Sequence, residues 1–132
     1  MTETLDVLGA AMIVRRDSGL FVAENPIPPG YFVPPHRHGD DEETLLVMEG
    51  ELTLIGEEGE RTAGPGTCVT FAPGDLHGFR NDSGSMVKMM VIASPGVQLA
   101  EMFRHFDRAG RNGPLTPPDI EAIANQYNVR FG

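Results

Sequence analysis

Four side chains carry the chemistry this sequence offers. His36 and His38 stand two apart, Glu43 follows five residues on, and His77 comes after Pro73-Gly74-Asp75-Leu76. In an extended segment residues i and i+2 share a face, so both imidazoles point one way and Arg37 the other. Pro34 and Pro35 disfavour helix immediately before the pair. Glu43 returns to the same place from the next strand, after a turn at Gly39-Asp40. Three neutral imidazole nitrogens and one carboxylate suit one divalent first-row metal: iron, manganese, nickel, cobalt or zinc. Such a set leaves open positions for water, substrate or dioxygen.

Plainer readings exist for each residue type. A lone histidine is more often a surface or hydrogen-bonded group, and His105, off the apolar stripe of its helix, is read that way, with no site role. The run Asp40-Asp41-Glu42-Glu43 reads by default as a solvated acidic loop. Cys68, in mid-strand, reads as an inert buried thiol.

The elements that must position the quartet are short. Gly 16 and Pro 11 make up more than a fifth of the 132 residues and bound brief apolar runs, the pattern of many strands joined by turns. Asp6–Arg16 reads as a strand or strand pair and Leu20–Asn25 as the next. Asn25-Pro-Ile-Pro-Pro-Gly30 reads as a rigid turn. Tyr31–Arg37 is extended; Thr44–Glu49 and Glu51–Ile55 flank Gly50; Gly56–Glu60 is a hairpin tip. Strands follow at Thr67–Ala72, His77–Asn81 and Met86–Ala93. After Pro95 the period changes. Leu99, Met102, Phe103 and Phe106 fall on one helical face, with a stop at Gly110. Thr116-Pro-Pro-Asp119 is a helix start with an N-cap and an acid at N3, followed by Ile120, Ile123, Ala124 and Tyr127 on one face. The expected architecture is an all-β body over residues 1–95 and a two-helix tail over 96–132. The tail belongs to the same domain, its apolar faces covering the outside of the sheet.

Composition removes several function classes. Ten Lys and Arg against nineteen Asp and Glu give a net charge of −9, which disfavours nucleic acid and anionic membranes as partners. A single cysteine allows no intrachain disulfide and no cysteine-rich zinc site. No signal peptide or membrane-length apolar run is read, and the expected location is the cytoplasm.

The frame around the quartet is more specific than the quartet itself. It runs Gly30, five residues, His36, one residue, His38, four residues, Glu43, six residues, Gly50. A second half runs Gly66, five residues, Ala72-Pro73-Gly74, two residues, His77, three residues, Asn81. In these two motifs the chain resembles the cupin family, closely over Gly30–Asn81 and more loosely beyond. The resemblance implies a small double-sheet β-barrel, or jelly roll, with a metal inside one end. Carried over residue by residue, it makes His36, His38, Glu43 and His77 the metal ligands, Gly50 and Gly74 turn residues, and Asn81 a structural residue tying a hairpin. Ala72 departs from the family's usual proline, which implies a slightly less rigid turn.

Alternation from Glu43 sends Leu45 and Val47 inward and leaves Leu46 and Met48 on an equally apolar opposite face. A strand apolar on both faces suggests a homodimer. Val69 and Phe71 share a face, as do Val87, Met89 and Val91. With seven methionines, the interior reads as an adaptable apolar wall. No inward-facing lysine or arginine is evident to hold a phosphate or dicarboxylate, so the expected partner is a small apolar or aromatic molecule. The single-domain layout resembles quercetin dioxygenase-like monocupins. It implies a metal-dependent dioxygenase, an oxidoreductase acting on an enolisable substrate, with Glu43 as both ligand and catalytic base. The alternatives are a non-redox isomerase or cyclase, and a small-molecule-binding domain without turnover.

Overall fold

Short apolar runs broken by glycine and proline fold as strands. The computed structural model describes residues 2–132 and contains β1 (Glu3–Val7), β2 (Ala10–Asp17), β3 (Phe21–Ile27), β4 (Phe32–His38), β5 (Glu42–Glu49) and β6 (Leu52–Gly56). They are followed by β7 (Gly59–Ala63), β8 (Cys68–Phe71), β9 (His77–Arg80) and β10 (Val87–Ser94), then α1 (Val97–Gly110), α2 (Pro117–Gln126) and β11 (Val129–Phe131). All pairings are antiparallel. One sheet has the order β1-β2-β3-β10-β5-β8 and the other β11-β4-β9-β6-β7. The two sheets form the expected jelly roll, and alternate residues of most strands fill the space between them. Phe21, Ala23, Asn25 and Ile27 of β3 are all buried, as are Leu45 and Val47 of β5 and Val87, Met89 and Val91 of β10.

Several elements differ from expectation for identifiable reasons. β3 does not stop at Asn25 but continues through Pro26 to Ile27. Its last pair with β2 is Ile13↔Glu24, so a residue without an N–H is tolerated beyond that point. The Asn25 side chain takes over there, donating from Nδ2 to the Ala11 carbonyl at 2.8 Å. β7 was hidden by its polar sequence, GERTA, which is exposed at every position but Ala63. β11 was too short for a periodic signal. Cys68 is exposed, not buried: it opens β8 opposite the outward-facing Leu46. The outer face of β5 is only half covered, and Met48 at its end is 51% exposed.

The two helices have another place than the outside of a sheet. β1 and β11 are edge strands of the two sheets. Helix α1 packs on β1, α2 packs on β11, and the helices pack on each other. They therefore close the open seam of the sandwich and wall its interior. Phe103 of α1 meets Phe21 of β3 with ring centroids 5.8 Å apart. The capping box of α2 forms as read: Thr116 Oγ1 accepts from the Asp119 N–H at 3.3 Å, and the Asp119 carboxylate accepts from the Thr116 N–H at 3.0 Å. No described helix is long and apolar enough to cross a membrane.

Candidate metal centre

The strands that carry the expected ligands are held by devices that start in the local sequence. On β4 the alternation puts His36 and His38 inside, at 7% and 4% exposure, while Arg37 points out to Glu57 and to the Gly74 carbonyl at 2.6 and 2.7 Å. β9 pairs His77 with His36. Gly78 follows because a Cβ there would lie 2.5 Å from the Val33 carbonyl oxygen; no larger residue allows β9 to sit this close to the irregular middle of β4. The turn before β9 uses Gly74 at φ +93°, where a side chain is strained. Ala72 contributes more than the family's proline would: its N–H donates to the Asp75 carboxylate at 2.9 Å, a bond proline has no hydrogen to make. Asn81 ties this region down as expected. Its Nδ2 donates to the Ile27 and Ser85 carbonyls at 2.9 and 2.8 Å, and its Oδ1 accepts from the Ser83 N–H and hydroxyl.

The structure brings all four expected ligands together. One donor atom from each of His36, His38, Glu43 and His77 lies within 4.8 Å of every other, and all four residues are buried. His36 Nδ1 is 2.8 Å from the Pro34 carbonyl, and His77 Nδ1 is 3.1 Å from the Asp75 carbonyl. A carbonyl only accepts, so both Nδ1 atoms carry the proton and both Nε2 atoms present lone pairs. Those lone pairs converge: the one on His36 Nε2 faces His38 Nε2 at 3.1 Å, and the one on His77 Nε2 faces Glu43 Oε1 at 2.9 Å. Converging lone pairs at such distances call for a cation between them, and the residues fit a divalent metal. Burial pushes the His36 imidazole down to about 4, helped by the neighbouring His77 and His38, so its lone pair stays free at neutral pH. A proton on the facing Nε2 atoms fills the same gap: burial raises the Glu43 carboxyl, but hydrogen bonds from His38 and from a doubly protonated His77 outweigh it and hold Glu43 well below the usual carboxylate range. For His77 burial acts downward, and the Glu43 carboxylate overcomes it and lifts the imidazole above its ordinary value.

Two contributors were not read from the sequence. Phe71 stacks on His77, centroids 4.2 Å apart and planes 7° from parallel. Asp41 is not a solvated loop residue but is 2% exposed. Its carboxylate accepts from the Gly96 and Leu99 N–H groups, both at 2.9 Å, and so caps helix α1 from the loop between His38 and Glu43. The signal was faint: an aspartate beside a turn, with partners more than fifty residues away. His105 has the structural role expected of it, with Nδ1 2.8 Å from the Tyr127 hydroxyl.

The cluster opens into a cavity of about 630 Å³. His36, His38 and Glu43 line one part. Met12, Leu45, Phe79, Met89 and Val91 line the sheets, Met102, Phe103 and Phe106 come from α1, and Ile120 and Ala124 come from α2. Neither lysine nor arginine lines it.

A model of the cupin domain family matches residues 26–93. No curated protein matches the chain by sequence. Among solved structures, a sugar phosphate isomerase of the cupin superfamily from Silicibacter pomeroyi superposes with a TM-score of 0.62 at 26% identity, over 67% of this chain and 61% of that one. The polyketide cyclase RemF from Streptomyces resistomycificus superposes with a TM-score of 0.53 at 27% identity, over 58% of this chain and 54% of the cyclase. KdgF from Halomonas sp. shares the fold, with a TM-score of 0.62 at 17% identity over 70% of this chain and 86% of its own. The chain thus spans less than two thirds of the isomerase and of the cyclase.

Proposed function

The chain belongs to the cupin domain family, and from that premise we propose that it is a metal-dependent enzyme that oxygenates a small apolar or aromatic, enolisable substrate. The observation that carries this reading is the cavity: a four-ligand cluster opening onto apolar walls without a lysine or arginine. A buried phosphate needs such cations, so the substrate class in the isomerase's name does not suit this lining. An enolate or phenolate oxygen can reach the cluster while its rings lie against methionine, leucine and phenylalanine.

A divalent metal held by His36, His38, Glu43 and His77 would supply Lewis acidity and a template for substrate and dioxygen. The chain's own residues do the rest. The Pro34 and Asp75 carbonyls fix the tautomers of His36 and His77, keeping both Nε2 atoms aimed inward. Glu43 is the buried carboxylate lining the cavity and is the group placed to take the substrate's proton at Oε1. Its low pKa makes it a weak base until it parts from His77. Phe103, Phe106 and Met102 roof the reacting groups and exclude water.

A second reading rests on the 27% identity to polyketide cyclase RemF: a non-redox cyclase or isomerase on the same class of substrate. An oxygen electrode separates the two. Protein loaded with iron, manganese, nickel, cobalt or zinc in turn is mixed with flavonols and other enolisable phenols. Stoichiometric oxygen uptake with product formation supports dioxygenation; product without uptake supports the cyclase reading; binding without product leaves a small-molecule-binding domain. We also propose a homodimer formed through the outer face of the six-stranded sheet, where Leu46, Met90 and Ile92 are half-buried and Met48 is exposed. Sedimentation is expected to give twice the chain mass, and a monomer at micromolar concentration would rule this out.

A further inference from the structure

Asn25 is a polar residue in an apolar wall. It is 5% exposed on the inward face of β3, between Ala23 and Ile27, and it lines the cavity. Half of its amide serves the fold, with Nδ2 donating to the Ala11 carbonyl where β2 and β3 part. The other half has no such partner. Among the described residues no group donates to Asn25 Oδ1, and unlike His38 Nδ1 the atom is not sealed away by its neighbours. Oδ1 is therefore open to the cavity. A buried acceptor facing apolar side chains is costly unless something donates to it.

Its position along the barrel says what that donor would be. Glu43 stands opposite Ala93 of β10, and Ala93 stands opposite Phe21 of β3. Asn25 lies four residues beyond Phe21 on the same face, roughly 13 Å farther along the strand. The other polar side chains lining the cavity away from the cluster are Tyr31, whose hydroxyl already donates to the Val7 carbonyl at 2.6 Å, and the exposed Glu121.

We propose that Asn25 Oδ1 is a second anchor for the substrate, accepting a hydrogen bond from a hydroxyl at the end remote from His36, His38, Glu43 and His77. The substrate class narrows to an elongated aromatic molecule of at least two rings, enolisable at one end and hydroxylated at the other. This inference rests on the substrate class proposed above.

The probes are the parent flavonol and the flavonol carrying one further hydroxyl para on its pendant ring. Each is titrated anaerobically into the metal-loaded full chain and followed by probe fluorescence. The hydroxylated probe is expected to bind roughly fivefold to tenfold more tightly. Asn25→Leu abolishes that preference. Asn25→Asp, which loses the bond to the Ala11 carbonyl but keeps an acceptor, retains it. Asn25→Ala reads the same ratio if the leucine variant fails to unfold cooperatively. Equal affinities in the native protein, a preference that survives in Asn25→Leu, or its loss in Asn25→Asp would overturn the role of Oδ1 and leave the substrate class standing. If neither flavonol binds the native protein, the substrate class itself fails and the anchor with it.

Discussion

His77 gathers three constraints in one ring: a stacked Phe71, a carbonyl on Nδ1 and a carboxylate facing Nε2. Of its atoms only Nε2 would hold a metal. His77→Ala is therefore expected to take metal content, measured by elemental analysis, from about one equivalent per chain to near zero. The loss should exceed the roughly 10–100-fold that removing a ligand's hydrogen-bond partner costs, while the strand signal in far-ultraviolet circular dichroism is kept. Asn81→Ala should do the reverse. It strips the Ile27 and Ser85 carbonyls of their donor, costing about 2–3 kcal/mol and lowering Tm by roughly 10 °C in a thermal melt, with metal stoichiometry unchanged. At this scale the quartet was legible because strand alternation and the spacing of two motifs are written in one dimension. Asp41 and Cys68 mislead in the sequence because burial belongs to packing. Asp41 is buried by a helix start far along the chain, and Cys68 is exposed by lying on the face of β8 that no element covers.

Among the elements, the loop between β4 and β5 holds Asp41 between two expected ligands, and Asp41 holds the start of α1. Asp41→Ala leaves the Gly96 and Leu99 N–H groups without an acceptor in a buried place, at a cost of about 2–4 kcal/mol. Hydrogen exchange should show amides of the first turns of α1 losing protection before those of β5 and β10; uniform loss across the chain would assign Asp41 to global stability alone. The strands around the site followed from glycine and proline punctuation, and the helix faces from their period. β11 did not, because three residues carry no period. Yet its pairs, Val129↔His38 and Phe131↔His36, brace the strand that carries two of the expected ligands. The helix periods reveal the helices but not their place: an amphipathic face tells that a helix packs, and which surface it packs on depends on where β1 and β11 leave the sheets open.

Across the whole molecule, a divalent metal would tie β4, β5 and β9 together at one point, so metal removal should be felt globally. Chelation followed by differential scanning calorimetry is expected to lower Tm by roughly 8–10 °C relative to protein held at about 100 times the metal's Kd, a difference of about 2.7 kcal/mol. Re-addition restores it, and the shift scales with the logarithm of free metal. The seam closed by α1 also has a consequence in time. The helix is fastened to the first strands across the chain, from Asp6 N–H to Asp107 at 2.9 Å and from Arg104 to Glu3, contacts 101 residues apart in sequence. Synthesis delivers β4 to β9 before α1, and such distant closures are slow to form. The nascent chain thus passes through a stage in which the strands of the histidine cluster exist and the roof does not, a natural moment for a metal ion to enter before the door is hung.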